Sequence, residues 1–183
     1  MPDALAGRLL VATPLLDDPN FARTVVLICS HDQGGAFGVV LNRPLEERVE
    51  AHLPRWASRA ATPDVLFGGG PVETNRVLAL ARTSQDDTPG WTRVSREVGL
   101  LDLGVPPEEL PPGIEAVRLF AGYAGWGGGQ LEREIGQDGW FVIDAAPGDP
   151  FSREPRDLWR TVLRRQRGAL AIYSTFPPDT ALN

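Results

Sequence analysis

An α+β domain is predicted by three observations on the chain. Short β-prone runs recur along it, helix-like segments are scattered between them, and no regular strand–helix–strand alternation links the two kinds. The 183 residues, 42% of them hydrophobic and 23% charged, suit one globular domain spanning residues 1–183. No linker is long or biased enough to divide it, and no internal repeat is visible.

Leu5 to Ala12 reads as a first strand stopped by Pro14. Asp17-Asp18-Pro19-Asn20 is a loop or a helix start, because Asp, Asn and Asp-Pro favour turns and caps. Thr24 to Ser30 and Ala36 to Leu41, joined by the turn His31-Asp32-Gln33-Gly34-Gly35, form the clearest β-hairpin, which Pro44 ends. Glu46 to Ala60 has helical composition, with Val49, Leu53 and Trp56 on one face and Pro54 set to kink or split it. Val65 to Phe67 and Val77 to Ala81 are strands, the first running into Gly68-Gly69-Gly70-Pro71. Thr83 to Gly90 is a polar loop and Val98 to Leu103 a short apolar segment. The prolines between Val105 and Gly113 allow only a loop or a clipped helical turn. Val117 to Tyr123 is a strand leading into the glycine turn at 125–129. Gln130 to Ile135 is a helix, and Trp140 to Ile143 a strand. Arg156 to Arg167 is the strongest helix, with Leu158, Trp159, Val162 and Leu163 as its apolar stripe.

Composition excludes several activities. All 18 basic residues are arginine, which rules out Schiff-base chemistry and a lysine-dependent phosphate loop. One cysteine cannot form an internal disulfide, and with two histidines it is too little for a Cys/His zinc site. A net charge of −6 argues against nucleic acid as a partner. No apolar run reaches membrane-spanning length, so no membrane association is expected. The acid at Asp3 is foreign to a signal peptide, which points to the cytoplasm. Cys29 lies in an apolar run and is expected to be a buried, inert thiol.

Six groups of residues merit weighing as chemistry. Strand, glycine turn and helix start at Gly125 to Gln130 have the order of an anion cradle, but Gln130 stands where a dinucleotide fingerprint needs glycine. A tight turn packing Trp126 over close backbone, with Gly129 at the helix entry, is the plainer reading. Glu132 and Glu134 point about 200° apart on a helix and cannot act as an acid–base pair, whereas Gln130 and Glu134 share a face. His31 and Ser30 point to opposite faces of a strand, and no serine sits in a nucleophile elbow. Asn42-Arg43 can hold a carboxylate or phosphate, or equally fasten a strand end to a loop. Asp17, Asp18, Asn20, Glu73 and Asp102 match no calcium loop, so neither metal nor cofactor is expected. Arg156, Arg160 and Arg164 step by four along the last helix, making either a solvated face or a docking surface.

Taken in order, these motifs resemble the YqgE/AlgH family. They are Gly7 to Pro14, Asp18-Pro19-Asn20-Phe21 to Val26, the hairpin from His31 through Gly35 to Asn42-Arg43-Pro44, Phe67 to Val72, and Gly125 to Glu132 with Glu134, followed by Trp140. The resemblance runs from about Leu5 to the end. It implies a compact cytoplasmic α+β protein with a mixed, strongly bent, hairpin-rich and partly barrel-like sheet flanked by helices. It implies no established enzymatic activity. One branch carries the name of a transcriptional regulator, without a recognisable DNA-binding motif. This chain has Ser30 where the family commonly has an acid, which removes a carboxylate from beside His31, and Phe37 where Met or Leu is usual.

The expectation is therefore a non-catalytic binding or regulatory protein with a small anion or a protein as partner. Its surface would join the Asn20-Phe21 loop, the Asn42-Arg43 strand end, the turn of Gly69, Gly70 and Pro71, and the turn of Trp126, Gly129 and Gln130. His31 and Glu132 complete the candidate residues. The alternatives are a hydrolase or transferase with His31, Glu132 and Arg43 around one anionic substrate, and docking through the C-terminal arginine helix.

Overall fold

Alternation of apolar side chains on both faces explains the central strands. In β1 (Arg8–Ala12) and β2 (Val25–Asp32), Leu9, Val11, Val25 and Leu27 face one side while Leu10, Ala12, Val26 and Ile28 face the other, and all are buried. A strand covered on both faces reads as an unbroken apolar run, because successive side chains point to opposite sides. The chain, described for residues 5–177 by a computed structural model, continues with β3 (Gly35–Val40), β4 (Pro44–Arg48), α1 (Val49–His52) and β5 (Val65–Gly68). Then come β6 (Val72–Thr83), β7 (Trp91–Arg93), β8 (Val98–Leu101), β9 (Ile114–Gly127), α2 (Gln130–Gly136), β10 (Trp140–Asp144), α3 (Leu158–Arg164) and α4 (Ala169–Tyr173).

The strands form one strongly curled, half-barrel sheet in the order β10-β1-β2-β3-β9-β6-β8-β7, with few helices around it. Every pairing along that path is antiparallel; β5, paired with β4, joins β9 in parallel. The α+β fold class and the bent, mixed sheet are as expected. A bulge at Cys29, between the pairs of Ile28 and Ser30, bends β2. Glycine permits the closest approaches: a Cβ on Gly35 would collide with the Trp126 carbonyl across the β3–β9 pair.

One sheet face packs Leu9, Leu27 and Leu41 against Leu158, Trp159 and Val162 of α3. The other packs Leu10, Val26, Val40 and Ala124 with Trp126 and Trp140 against Leu131 of α2. Burying each such aliphatic side chain stabilises the fold by about 1.5–3 kcal/mol. A third cluster, built on Trp56, Leu66, Ala79 and Leu119, lies under the β6–β8 half.

Several element boundaries differ from expectation. Residues 5–7 are a turn, so β1 starts at Arg8. Pro44 opens β4 instead of ending the β-structure, since an edge strand tolerates a missing N–H at its first residue. The expected helix from Glu46 is strand to Arg48, then one turn of α1, and Pro54 begins a separate 3₁₀ segment to Arg59. β6 and β9 outrun their apolar cores because they pair with each other from Thr83 back to Val72. β9 also continues through Gly125 and Gly127, which pair with β3. β7 and α4, three and five residues long, are too short to stand out alone. The last helix is shorter than Arg156–Arg167: Pro155 to Asp157 is a 3₁₀ turn, and Gly168 with φ +74° starts α4.

Arg118 on β9 is 1% exposed and has no carboxylate partner among the described residues. Its guanidinium donates to the carbonyls of Ser152 (2.8 Å), Pro150 (3.3 Å), Thr62 (2.7 Å) and Ala61 (3.3 Å), and lies 4.3 Å over the Phe67 ring. Burial pushes its pKa down to about 10. It clamps two loops onto the sheet.

Candidate functional site

The loop before β2 is built by short-range bonds. The Asp18 carboxylate accepts the Asn20 N–H (2.8 Å), the Asp18 carbonyl accepts those of Phe21 and Ala22, and Arg23 takes φ +58°. Asn42 and Arg43, just past β3, hold this loop. The Asn42 carbonyl oxygen Oδ1 accepts the Val25 N–H (2.9 Å) while Nδ2 donates to the Arg23 carbonyl (2.8 Å). Arg43 donates to the carbonyls of Asn20 (2.6 Å), Pro19 (3.0 Å) and Ala22 (3.3 Å). Desolvation lowers the Arg43 pKa, and the nearby Asp18 charge opposes that shift. The fastening reading of Asn42-Arg43 fits these bonds, and little of the Arg43 fork remains for an outside anion.

The 68–71 turn inserts beside this latch. Gly68 donates to the Arg43 carbonyl (2.8 Å), Gly69 to that of Ala121 (2.9 Å), and the Gly69 carbonyl accepts the Val40 N–H (2.8 Å). A Cβ on Gly69 would strike the Gly122 carbonyl, and one on Gly70, at φ +153°, would strike the Tyr123 carbonyl. Only glycine lets the turn pass that close to β9. Asn20, Val40, Arg43, Leu45, Gly70, Pro71 and Thr74 together line a cleft of about 270 Å³ with mostly apolar walls.

Phe21 links this cleft to the second glycine turn. Its ring lies 6.0 Å from that of Trp126 and 5.6 Å from that of Trp140. Both indole N–H groups donate to Glu134 Oε2 at 2.9 Å, and Gln130 Nε2 donates to Glu134 Oε1 at 3.0 Å. Gln130 Oε1 accepts the Gly127 N–H (3.1 Å), so the chain's own amide occupies the turn that resembled an anion cradle. Gly129, with φ +71°, turns the chain into α2, whose 7 residues are too few for a developed dipole. The shared face of Gln130 and Glu134 is thus used, though for fastening tryptophans. Spacing alone did not reveal that two indoles converge on Glu134; the signal was the pair of tryptophans flanking an i,i+4 Gln–Glu pair.

His31 and Glu132 meet at the far end of the hairpin, with Nε2 2.7 Å from Oε1. His31 is 7% exposed, and its Nδ1 has no partner among the described residues. The Glu132 carboxyl, in contact with its own backbone N–H and His31, is held below the usual carboxylate range. Ser30 is exposed on the opposite face, as expected. Arg43 does not join them. Val26 pairs with Val40 near one end of the hairpin and His31 with Ala36 near the other, a separation of roughly 15 Å along the strand. The three polar groups of the enzyme alternative therefore do not share one point.

Other candidates disperse. Among the described residues no three His, Cys, Asp or Glu side chains gather as metal ligands, and Asp102 instead caps its own turn at Gly104. Of the arginine stripe, Arg156 lies before α3, Arg160 donates to the Phe176 carbonyl (3.1 Å), and Arg164 is exposed. Cys29 is buried, and desolvation pushes its thiol up to about 12. Among the described residues no helix is long and apolar enough to cross a membrane.

Comparison with known proteins agrees with this architecture. A family model described as AlgH-like matches residues 9–171. The UPF0301 protein of Streptomyces coelicolor is 52% identical over 185 residues, covering 98% of this chain and 96% of its own. That of Mycobacterium tuberculosis is 44% identical over 182 residues, covering 97% and 90%. The crystal structure of a protein from Corynebacterium diphtheriae superposes with a TM-score of 0.89 at 37% identity, covering 94% of this chain and 92% of that one. The solution structure of AlgH from Pseudomonas aeruginosa gives 0.69 at 27%, covering 96% and 95%. With its curled sheet, its two glycine turns and this breadth of similarity, the chain belongs to the AlgH-like, UPF0301 family.

Proposed function

We propose that this chain is a non-catalytic binding protein whose ligand surface is the cleft beside the Asn42–Arg43 latch. One observation carries the reading: the polar side chains of the motifs are already engaged within the protein. Asn42, Arg43, Gln130 and Glu134 each hold backbone or indole partners. His31 and Glu132 hold each other, roughly 15 Å away along the hairpin. Catalysis asks for polar groups converging on a reacting atom, and none of these is aimed at the cleft with its hydrogen bonds unmade. What the motifs leave is a shaped, largely apolar wall with Asn20 and Thr74 at its rim. Such a wall suits a small molecule or a protein side chain with one or two hydrogen-bonding groups. A cytoplasmic, regulatory role is part of the proposal, in keeping with a single buried cysteine that has no second cysteine in the chain to pair with.

The test uses Thr74→Trp, which fills the cleft from an exposed strand position. Native mass spectrometry of the wild type from its own cells is expected to find a bound molecule or partner that this variant lacks. Turnover of any substrate, abolished by His31→Ala and unaffected by Thr74→Trp, would overturn the reading.

A further inference from the structure

The two ends of the curled sheet approach each other on the side away from the latch. Gly7, just before β1, has φ +77°, and a Cβ there would lie 2.8 Å from the Val94 carbonyl and 3.2 Å from Ser95 Cβ, in the turn between β7 and β8. Beside this seam opens a cleft of about 500 Å³, larger than the latch cleft and within the size range of small-ligand sites. Gly7, Arg8, Ser95, Arg96, Glu97 and Asp144 line it.

Its charges are unequally matched. Glu97 is already held by Arg82 from outside the cleft, at 2.8 and 2.9 Å. Asp144 Oδ1 lies 3.1 Å from Arg8 Nε, but out of line for a hydrogen bond, and that nitrogen is buried without a hydrogen-bond partner among the described residues. The Asp144 side chain is 90% exposed, so nothing fixes it over Arg8. Among the described residues the guanidinium of Arg96 donates no hydrogen bond at all. Two cations thus face one loosely held carboxylate across a common cleft. Arg118 and Arg43, by contrast, have their terminal nitrogens engaged by backbone carbonyls.

The geometry points to an anion-binding site at this seam, taking a compact ligand with a carboxylate or phosphate group. A guanidinium presents parallel N–H donors that match either oxyanion, and two of them, one from β1 and one from the turn between β7 and β8, can clamp one ligand. The net charge of −6 on the whole chain repels long polyanions, so the seam favours small molecules over nucleic acid. On binding, the ligand oxyanion replaces Asp144 opposite Arg8, and the exposed Asp144 swings into solvent. This site is independent of the latch cleft, and Thr74→Trp leaves it intact.

The experiment is an NMR titration of the full chain with inorganic phosphate and, separately, succinate, against sodium chloride at matched ionic strength. Saturable shifts of the Gly7, Ser95 and Arg96 amides are expected with at least one of the two. The dissociation constant rises at least tenfold in Arg96→Gln, which removes an exposed side chain without a bonded partner among the described residues, and saturation disappears when Arg8→Gln is added. Which anion saturates distinguishes phosphate-bearing from carboxylate ligands. Shifts no larger than those given by chloride for both anions, or affinity unchanged in Arg96→Gln, would overturn the proposal.

Discussion

Arg118 and Arg96 belong to the same sheet and differ in almost everything that decides what an arginine does. Arg118 is buried, and its terminal nitrogens meet four backbone carbonyls from two loops. Arg96 stands at an exposed turn with no hydrogen-bond acceptor among the described residues. A cation whose terminal nitrogens are held by carbonyls from two loops acts as a clamp, because removing it strands buried acceptors. A cation left unmatched beside a cleft remains available to whatever enters. The location of the donors' partners, and not the residue type, separates scaffold from site.

That contrast can be broken from either side. Arg118→Met, which keeps most of the volume, leaves four carbonyls without their donor and is expected to cost about 3–5 kcal/mol in urea unfolding; a loss under 1 kcal/mol would remove the clamp from the account. Glu134→Gln keeps the shape but weakens a charge-assisted anchor for two indoles. It should cost about 1–2 kcal/mol and shift tryptophan fluorescence, and an unchanged spectrum would mean that the carboxylate does not hold the rings. Glu132→Gln should be felt only above the acid range. The folded Glu132 carboxyl titrates below its unfolded value, so its contribution is present above the unfolded pKa and disappears as pH falls through the folded one. The difference between wild type and variant is therefore expected at pH 7 and absent in strong acid, and a pH-independent difference would argue against the His31 contact. Arg96→Gln should change stability by no more than about 0.5 kcal/mol, and a larger loss would recast Arg96 as scaffold.

How much of this was legible from residues alone depends on range. The β2–β3 hairpin, the one-turn interruption at Pro54 and the helix after Gly129 follow from local pattern, and all three form. Long-range pairing was invisible, so β6 and β9 extend well beyond their apolar cores, and short β7 and α4 were missed. The site shows the same division. Asn42-Arg43 as a fastener and the opposed directions of Glu132 and Glu134 could be read from chemistry and spacing. Arg118 looked like one polar residue in a strand, since the carbonyls that surround it come from residues 61–62 and 150–152. The seam cleft escaped notice for the same reason: Arg8 and Arg96 are 88 positions apart in sequence.

The most direct test of the central claim concerns the latch. Unfolding free energies of Asn42→Ala and Arg43→Ala, measured by urea titration, should each fall by about 1–3 kcal/mol, because backbone groups of the 19–25 loop lose their partners. Variants as stable as the wild type would show that these residues are not fastening the fold, and would contradict a cleft framed by engaged side chains.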